Sequence, residues 1–297
     1  MTIQSIQLKD GSFIPKGGVG TWEMGENEFE EELEVESIYK SIELGVRLID
    51  TAEMYGEGGA ERVAGKAIQK AISNGIVKRE DLYIVSKVYP FNAGRKNIFN
   101  SCENSIKRLG VGYLDLYLLH WRGRIPLKET VSCMEQLVKE KKIRRWGVSN
   151  FDVEDMEELL SIRNKDNEKI GENCVVNQVL YHIASREADT ELIKFGIPLM
   201  AYSPLARAGT IVRQGSIFKN KLLLKLKEKY NCTIFQIMLA FVHSKPNVIT
   251  IPKSTHINHL CENYDVLSDK IKLSEEDLKL LDEEFPAPTE RRPIDMI

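Results

Sequence analysis

The chain is poor in the features that mark specialised architectures. No uninterrupted apolar run reaches the roughly 18 residues that a bilayer-spanning helix needs. The first ten residues lack the basic start and continuous apolar stretch of a secretion signal, so the expected location is the cytoplasm. Cysteine is sparse: Cys102, Cys133, Cys174, Cys232 and Cys261 lie far apart, their number is odd, and none form a C-x-x-C pair. That spacing argues against a disulfide framework or a thiolate zinc site, and no other metal-ligand spacing is present. Neither sign of charge dominates, with 41 Lys+Arg against 44 Asp+Glu and a net charge of −3, which leaves no basic footprint for nucleic acid. Low-complexity stretches and linkers are also missing. One domain over residues 1–297 is expected, with no membrane or nucleic-acid partner.

What is present is a repeat. Short runs rich in Val, Ile, Leu and Tyr alternate with longer segments of helical spacing. The short runs are Gly18–Trp22, Arg47–Asp50, Leu82–Lys87, Leu114–His120, Arg145–Ser149, Val175–Val179, Pro198–Tyr202 and Val248–Ile251. Several lack polar alternation, as parallel strands buried on both faces do. Helical spacing covers Glu31–Leu44, Ala60–Ile72, Asn97–Leu109, Leu127–Lys139, Val153–Ile162, Ser185–Phe195, Asn220–Tyr230, Thr233–Ser244 and Ser274–Glu284. Eight strands alternating with helices suit a doubly wound sheet or a closed barrel. The unbroken repeat favours the second, an α/β fold of the (β/α)₈ TIM-barrel type. Gln4–Leu8 and Ser12–Ile14 flank Asp10-Gly11, a hairpin turn signal, and predict a β-hairpin capping the barrel bottom. The acidic run Glu28–Glu36 reads as a solvated helix face.

In such a barrel the C-terminal strand ends form one rim, where chemistry collects. The expected ends carry Asp50 and, just beyond it, Tyr55; then Lys87; His120; Ser149 and Asn150; Asn177 and Gln178; Tyr202 and Ser203; and Lys253 and Ser254. Singly, each has an ordinary structural explanation. Together, Asp, Lys and His ending consecutive apolar runs would be costly to bury unless they pair, and such clusters mark functional sites. A free tyrosine, pKa about 10, is a poor acid at neutral pH. Lys87 could stabilise its phenolate, Asp50 could hold Lys87, and His120 could hydrogen-bond a substrate oxygen or Tyr55. Tyr55 would then protonate a carbonyl oxygen under attack. No serine or cysteine stands as nucleophile, so cofactor hydride is the natural attacker.

These residues resemble the aldo-keto reductase superfamily, carried by G45-V-R-L-I-D50-T-A-E-M-Y55-G, L114-D-L-Y-L-L-H120-W and I251-P-K253-S254 followed by E262-N263. The order holds from Gly20 to Asn263. The resemblance implies a (β/α)₈ barrel, a monomer, NADPH-dependent carbonyl reduction, and a catalytic set of Asp50, Tyr55, Lys87 and His120. It assigns Ser149, Asn150 and Gln178 to the nicotinamide amide, Tyr202 to stacking on its ring, and Ser203 and Leu205 to the pyrophosphate side. Lys253, Ser254 and Thr255 are assigned to the 2′-phosphate, Glu262 and Asn263 to adenine, and Gly20, Thr21 and Asp50 to further cofactor contacts. Where the family usually places arginine this chain has His259, a weaker and pH-dependent cation. NADPH is expected over NADH, with a reduced margin.

Further segments, among them S-K-V-Y-P-F-N-A-G and I-R-R-W-G-V-S-N, resemble bacterial members of the methylglyoxal-reductase type. Trp22, Met54, Tyr89 and Trp121 are then the substrate-side candidates. Thirteen residues follow Glu284, a short tail that suggests an open site for small or polar carbonyls. Keto sugars or quinones as substrates, or a cofactor-binding redox sensor, stand as alternatives. Gly18-Val-Gly20 lacks the third glycine of a dinucleotide fingerprint. Gly56-Glu-Gly58-Gly59 reads as slack for the Tyr55 loop, and His182, His243 and His256 as structural or exposed.

Overall fold

The computed structural model describes residues 2–208 and 217–296. Strands β1 (Ser5–Gln7) and β2 (Phe13–Pro15) pair antiparallel, with Ile6 opposite Ile14. Eight parallel strands follow: β3 (Gly18–Gly20), β4 (Leu48–Asp50), β5 (Tyr83–Val88), β6 (Leu114–Leu119), β7 (Ile143–Ser149), β8 (Asn177–Leu180), β9 (Leu199–Tyr202) and β10 (Val248–Thr250). They neighbour one another in sequence order. The sheet closes where Gly17 bridges Thr250, Thr250 N donates to Lys16 O at 2.9 Å, and Gly20 N donates to Pro252 O at 3.1 Å. The expected barrel is therefore present.

Between the strands lie α1 (Glu31–Leu44), α2 (Gly59–Ser73), α3 (Ile98–Leu109), α4 (Leu127–Lys139), α5 (Val153–Ser161), α6 (Lys221–Tyr230) and α7 (Ile234–Ser244); α8 (Ile257–Leu267) and α9 (Glu275–Glu284) follow β10. Their ends match local chemistry. Gly45 ends α1 in the left-handed region at φ 118° and returns its N–H to Ile42 and Ser41 carbonyls. Thr233 and Gln236 close a capping box on α7, and Ser274 caps α9.

Alternating strand residues feed two cores. Tyr83 and Val85 of β5 point inward with Leu48, Leu116, Leu118, Met200 and Ile249, and the hairpin residues Ile6, Leu8 and Ile14 close this inner core from below. Ile84 and Val88 point outward into the layer between barrel and helices, with Tyr117, Trp146 and Ile42. The inward set continues upward from Tyr83 and Val85 to Lys87. That alternation, hidden in a run buried throughout, is what aims Lys87 at the rim.

Three expectations need correction. Ser185–Phe195 is not one helix but two short 3₁₀ turns, Glu187–Asp189 and Leu192–Phe195. The Asp189 carboxylate receives Tyr181 OH at 2.8 Å and the Arg186 guanidinium at 2.7 Å, and Arg186 also reaches Phe285 O at 2.7 Å, so tertiary bonds set a tight turn over helical propensity. The helix α8 was not anticipated, because His256 at its N-cap makes no capping bond and its buried residues are few. The acidic run is only partly solvated: Glu34 is buried and accepts Gly25 N at 2.8 Å, whereas Glu31 pairs with Lys66 at 2.5 Å on the surface.

Candidate active site

The apolar barrel ends upward in a polar layer. Asp50 closes β4 and sits opposite Val85, so Lys87, two residues further on, emerges beside it on the inner face. Lys87 is wholly buried. Its Nζ donates to Asp50 Oδ2 at 2.7 Å, Thr51 O at 2.9 Å and Tyr55 OH at 3.0 Å. An ammonium has three N–H donors, and each meets an acceptor. Burial disfavours the Lys87 cation, but the Asp50 carboxylate and Tyr55 outweigh it and raise its pKa above the ordinary lysine value.

Tyr55 reaches this point by a tight local fold. Gly56 and Gly58 have φ of 54° and 81°. A Cβ on Gly59 would stand 2.1 Å from Gly25 O. The glycines are therefore not slack: they let the Tyr55 turn press against the loop after β3. Burial raises the Tyr55 phenol above its ordinary pKa, while the Lys87 charge pulls the other way.

His120 follows β6, its ring 5.5 Å from that of Tyr55 in an edge arrangement with no hydrogen bond between them. Burial, helped by the Lys87 charge, pushes its pKa down to about 2, so the imidazole is neutral. Its Nδ1 is buried without a partner. Trp22 packs edge-on to Tyr55 at 4.8 Å and Trp121 lies 4.9 Å from His120.

A cavity of about 790 Å³ opens above this floor. Of the residues singled out from the sequence, Gly20, Thr21, Trp22, Asp50, Met54, Tyr55, His120, Trp121, Ser149, Asn150, Gln178, Tyr202, Ser203, Leu205, Lys253, Ser254, His259, Glu262 and Asn263 line it. Lys87 lies beneath Tyr55. Tyr89 is not on the wall; it stacks on Phe91 at 5.3 Å and supports Trp121 edge-on at 5.1 Å. Thr255, half-buried, is also off the wall.

The rim is wired together. Gln178 Nε2 donates to Asp50 Oδ1 at 2.7 Å, Ser149 Oγ to Gln178 O at 2.9 Å, and Tyr202 OH to Asn150 Oδ1 at 2.9 Å. Asn150 takes φ 58°, which lets its Nδ2 reach back to His120 O at 3.2 Å. The cavity is far larger than a small carbonyl requires. One end offers amide and hydroxyl groups beside the Tyr202 ring; the other offers Lys253, Ser254 and His259 on and before α8. That donor set fits a nicotinamide dinucleotide: polar groups for a carboxamide, an aromatic face, and cations for phosphate.

Glu23, Arg207, Phe235 and Met296 also line the cavity and escaped the sequence reading. Glu23 directly follows Trp22 and could have been read as part of the same loop. The others come from a loop, a helix face and the tail, where no strand-end rule applies. Among the described residues no cluster of His, Cys, Asp or Glu could hold a metal, and no helix is long and apolar enough to cross a membrane. His182 and His243 are buried, and all five cysteines are free.

Comparison with known proteins agrees with this geometry. The model of the aldo/keto reductase family matches residues 18–284. The chain is 42% identical to methylglyoxal reductase YeaE of Escherichia coli (strain K12), with 100% of both sequences covered. It is 36% identical to a glyoxal reductase of Bacillus subtilis (strain 168), over 94% of this chain and 91% of that one. Among solved structures, an aldo-keto reductase from Klebsiella pneumoniae in complex with NADPH is similar at TM-score 0.89 and 42% identity, covering 100% of both chains.

Proposed function

The chain belongs to the aldo/keto reductase family, and from that premise we propose that it reduces small aldehydes and ketones of the methylglyoxal type, with NADPH as hydride source and Tyr55 as proton donor. The observation that carries this reading is the Lys87 ammonium, which touches both Asp50 at 2.7 Å and the Tyr55 hydroxyl at 3.0 Å on the cavity floor. Relatives named for methylglyoxal and glyoxal reduction, and a similar structure solved with NADPH, point the same way. In this reading the chain works as one barrel unit and as a monomer.

Reduced nicotinamide, when bound, supplies the hydride that adds to the carbonyl carbon. Ser149, Asn150 and Gln178 would hold its carboxamide and Tyr202 its ring, with Lys253 and Ser254 at the phosphate end. Tyr55 then donates its proton to the carbonyl oxygen as negative charge builds there. The phenolate left behind lies 3.0 Å from Lys87 Nζ, a charge-assisted hydrogen bond that strengthens as the proton departs. Asp50 keeps Lys87 charged and aimed. Neutral His120 can orient the carbonyl oxygen without placing a second cation beside Lys87. Trp22 and Trp121 wall the reacting end and exclude water.

The test is NADPH consumption with methylglyoxal, glyoxal and a panel of keto sugars, quinones and aryl aldehydes. Small dicarbonyls should show the highest kcat/KM. Tyr55→Phe should lower kcat by roughly 10²–10⁴-fold and leave the NADPH Kd within about twofold. Cofactor binding with no turnover on any carbonyl would replace this reading with that of a redox sensor.

A further inference from the structure

Between Asp50 and Tyr55 stands Glu53, a half-buried residue that is not on the cavity wall. Its backbone runs beside the end of β5, with Glu53 N donating to Lys87 O at 3.4 Å. Its carboxylate reaches further, into the loop after β5. Glu53 Oε1 accepts Tyr89 N at 2.6 Å and Asn92 Nδ2 at 3.2 Å, from residues 36 and 39 positions away. Tyr89 is the first residue beyond β5, and Asn92 closes the 3₁₀ turn Pro90–Asn92 and returns its own N–H to Tyr89 O at 2.8 Å. One carboxylate oxygen therefore holds both ends of this turn and ties it to the loop that carries Tyr55. Phe91, at the centre of the turn, is exposed, so apolar packing fixes that part of it poorly. The turn in turn backs the reacting end of the cavity. The Tyr89 ring meets Trp121 edge-on at 5.1 Å, and Trp121 lies 4.9 Å from His120. The backbone beyond Trp121 rests on the same turn: a Cβ on Gly123 would stand 2.7 Å from Pro90 Cβ.

We propose that Glu53 is a positioning residue for the carbonyl substrate: by fixing the Tyr89–Asn92 turn it holds Trp121 and His120 where the substrate oxygen is received. This rests on the reductase reading above. Standing behind the wall, Glu53 touches neither the reacting atoms nor the cofactor, so its part is separate from that of Asp50, Lys87 and Tyr55. An ionised carboxylate only accepts hydrogen bonds, and one of its oxygens can take two N–H donors. The negative charge strengthens both bonds. Without that oxygen the Tyr89 amide and the Asn92 side chain lose their shared partner, and the turn is free to draw the Tyr89 ring away from Trp121. A small carbonyl offers few contacts of its own, so displacement of the groups that receive it is felt as lost orientation.

The test measures kcat and KM for methylglyoxal, and Kd for NADPH, on variants of the full chain. Glu53→Ala should lower kcat/KM by roughly 10–10²-fold, chiefly through KM, and leave the NADPH Kd within about twofold. Glu53→Gln should recover most of that loss, because both bonds fall on one oxygen and an amide oxygen can accept them. Tyr89→Ala should lower kcat/KM in the same way. Adding Glu53→Ala to it should cost little more, since the two residues act in one chain of contacts. Wild-type kcat/KM in Glu53→Ala overturns the proposal and leaves the reductase reading standing. So do losses that add in the double variant, or a loss that Glu53→Gln shares in full, which would assign the effect to the charge and not to the tie. Tyr89→Ala decides the matter where Glu53→Ala does not fold: wild-type kcat/KM in that variant overturns the proposal by itself. Absence of wild-type turnover on every carbonyl overturns the reductase reading and this proposal with it.

Discussion

The side-chain amide of Gln178 donates to Asp50 Oδ1 at 2.7 Å, joining two residues 128 positions apart in sequence. The other Asp50 oxygen takes the Lys87 ammonium at 2.7 Å. A residue assigned from the sequence to the cofactor amide is thus also the second support of the acid cluster. Gln178→Leu should leave one buried carboxylate oxygen unpaired, at a cost of roughly 1–3 kcal/mol of stability. It should lower kcat as well as weaken NADPH binding. Ser149→Ala, which removes the bond to the Gln178 backbone carbonyl and the one accepted from Asn150 Nδ2 at 3.3 Å but touches neither Asp50 nor Lys87, should affect binding alone. Equal kcat in the two variants would separate Gln178 from the acid cluster.

Under the proposed mechanism, the buried Asp50–Lys87 pair should matter more to turnover than to stability. Lys87→Met leaves the Asp50 carboxylate in the barrel without its cation, which costs roughly 3–5 kcal/mol. Asp50→Asn combined with Lys87→Met removes both charges and should recover part of that loss, read as a higher urea midpoint than Lys87→Met alone. Neither variant should turn over, since the Tyr55 phenolate would have no cation beside it. A double variant no more stable than Lys87→Met would mean the pair is not the seat of the effect.

Turnover should be level with pH across the neutral range. His120 is held at about 2 by burial and the Lys87 charge, so it takes up no proton at working pH. Tyr55 is raised by burial, so the proposed donor should keep its proton well past neutrality and lose it only at alkaline pH. The plot of kcat against pH should therefore be flat from about pH 6 to pH 9 and fall only above that. An acid limb in kcat that vanishes in His120→Asn would contradict the neutral imidazole.

Stability should fall in acid for a separate reason. His182 and His243 are both pushed down to about 4 by burial, with Lys16 adding to the effect at His243 and Glu187 opposing it at His182. In the unfolded chain a histidine takes up its proton near pH 6.5. The unfolded state therefore binds protons first as pH falls. The histidines' contribution is complete above about pH 6.5 and is lost on the way down to about pH 4. Unfolding free energy at pH 7.5 should exceed that at pH 5, and His243→Asn should shrink the difference. An unchanged difference would assign the acid sensitivity elsewhere.

Two glycines with different surroundings test how Tyr55 is placed. Gly59→Ala would drive a methyl to within 2.1 Å of Gly25 O, forcing the Tyr55 turn away from its neighbour. It should cost both stability and most of kcat. Gly75 has φ 72° with nothing within 4 Å, so Gly75→Ala should cost about 1 kcal/mol from backbone strain and leave kcat unchanged. Comparable kcat in the two variants would show that the Gly25 contact does not position Tyr55.

The sequence by itself determined the barrel and much of the site's membership. Apolar runs such as Leu114–Leu119 suit parallel strands buried on both faces, and the rule that strand ends share a rim places Asp50, Lys87, His120, Ser149 and Tyr202 together. Local chemistry also marked the helix ends, because a Thr233 or Ser274 cap is satisfied within one turn. Only the tertiary structure decided the rest. It bent Ser185–Phe195 into 3₁₀ turns, where Arg186 donates to Phe285 O, 99 positions away. Tertiary contact also showed that Gly59 serves close approach to Gly25, that Tyr89 supports Trp121 from behind, and that Gln178 grips Asp50. Each of these depends on contacts between segments far apart in the chain, which the local pattern of residues does not carry. Periodicity states which face of an element is buried. What that face meets is settled only when the barrel closes.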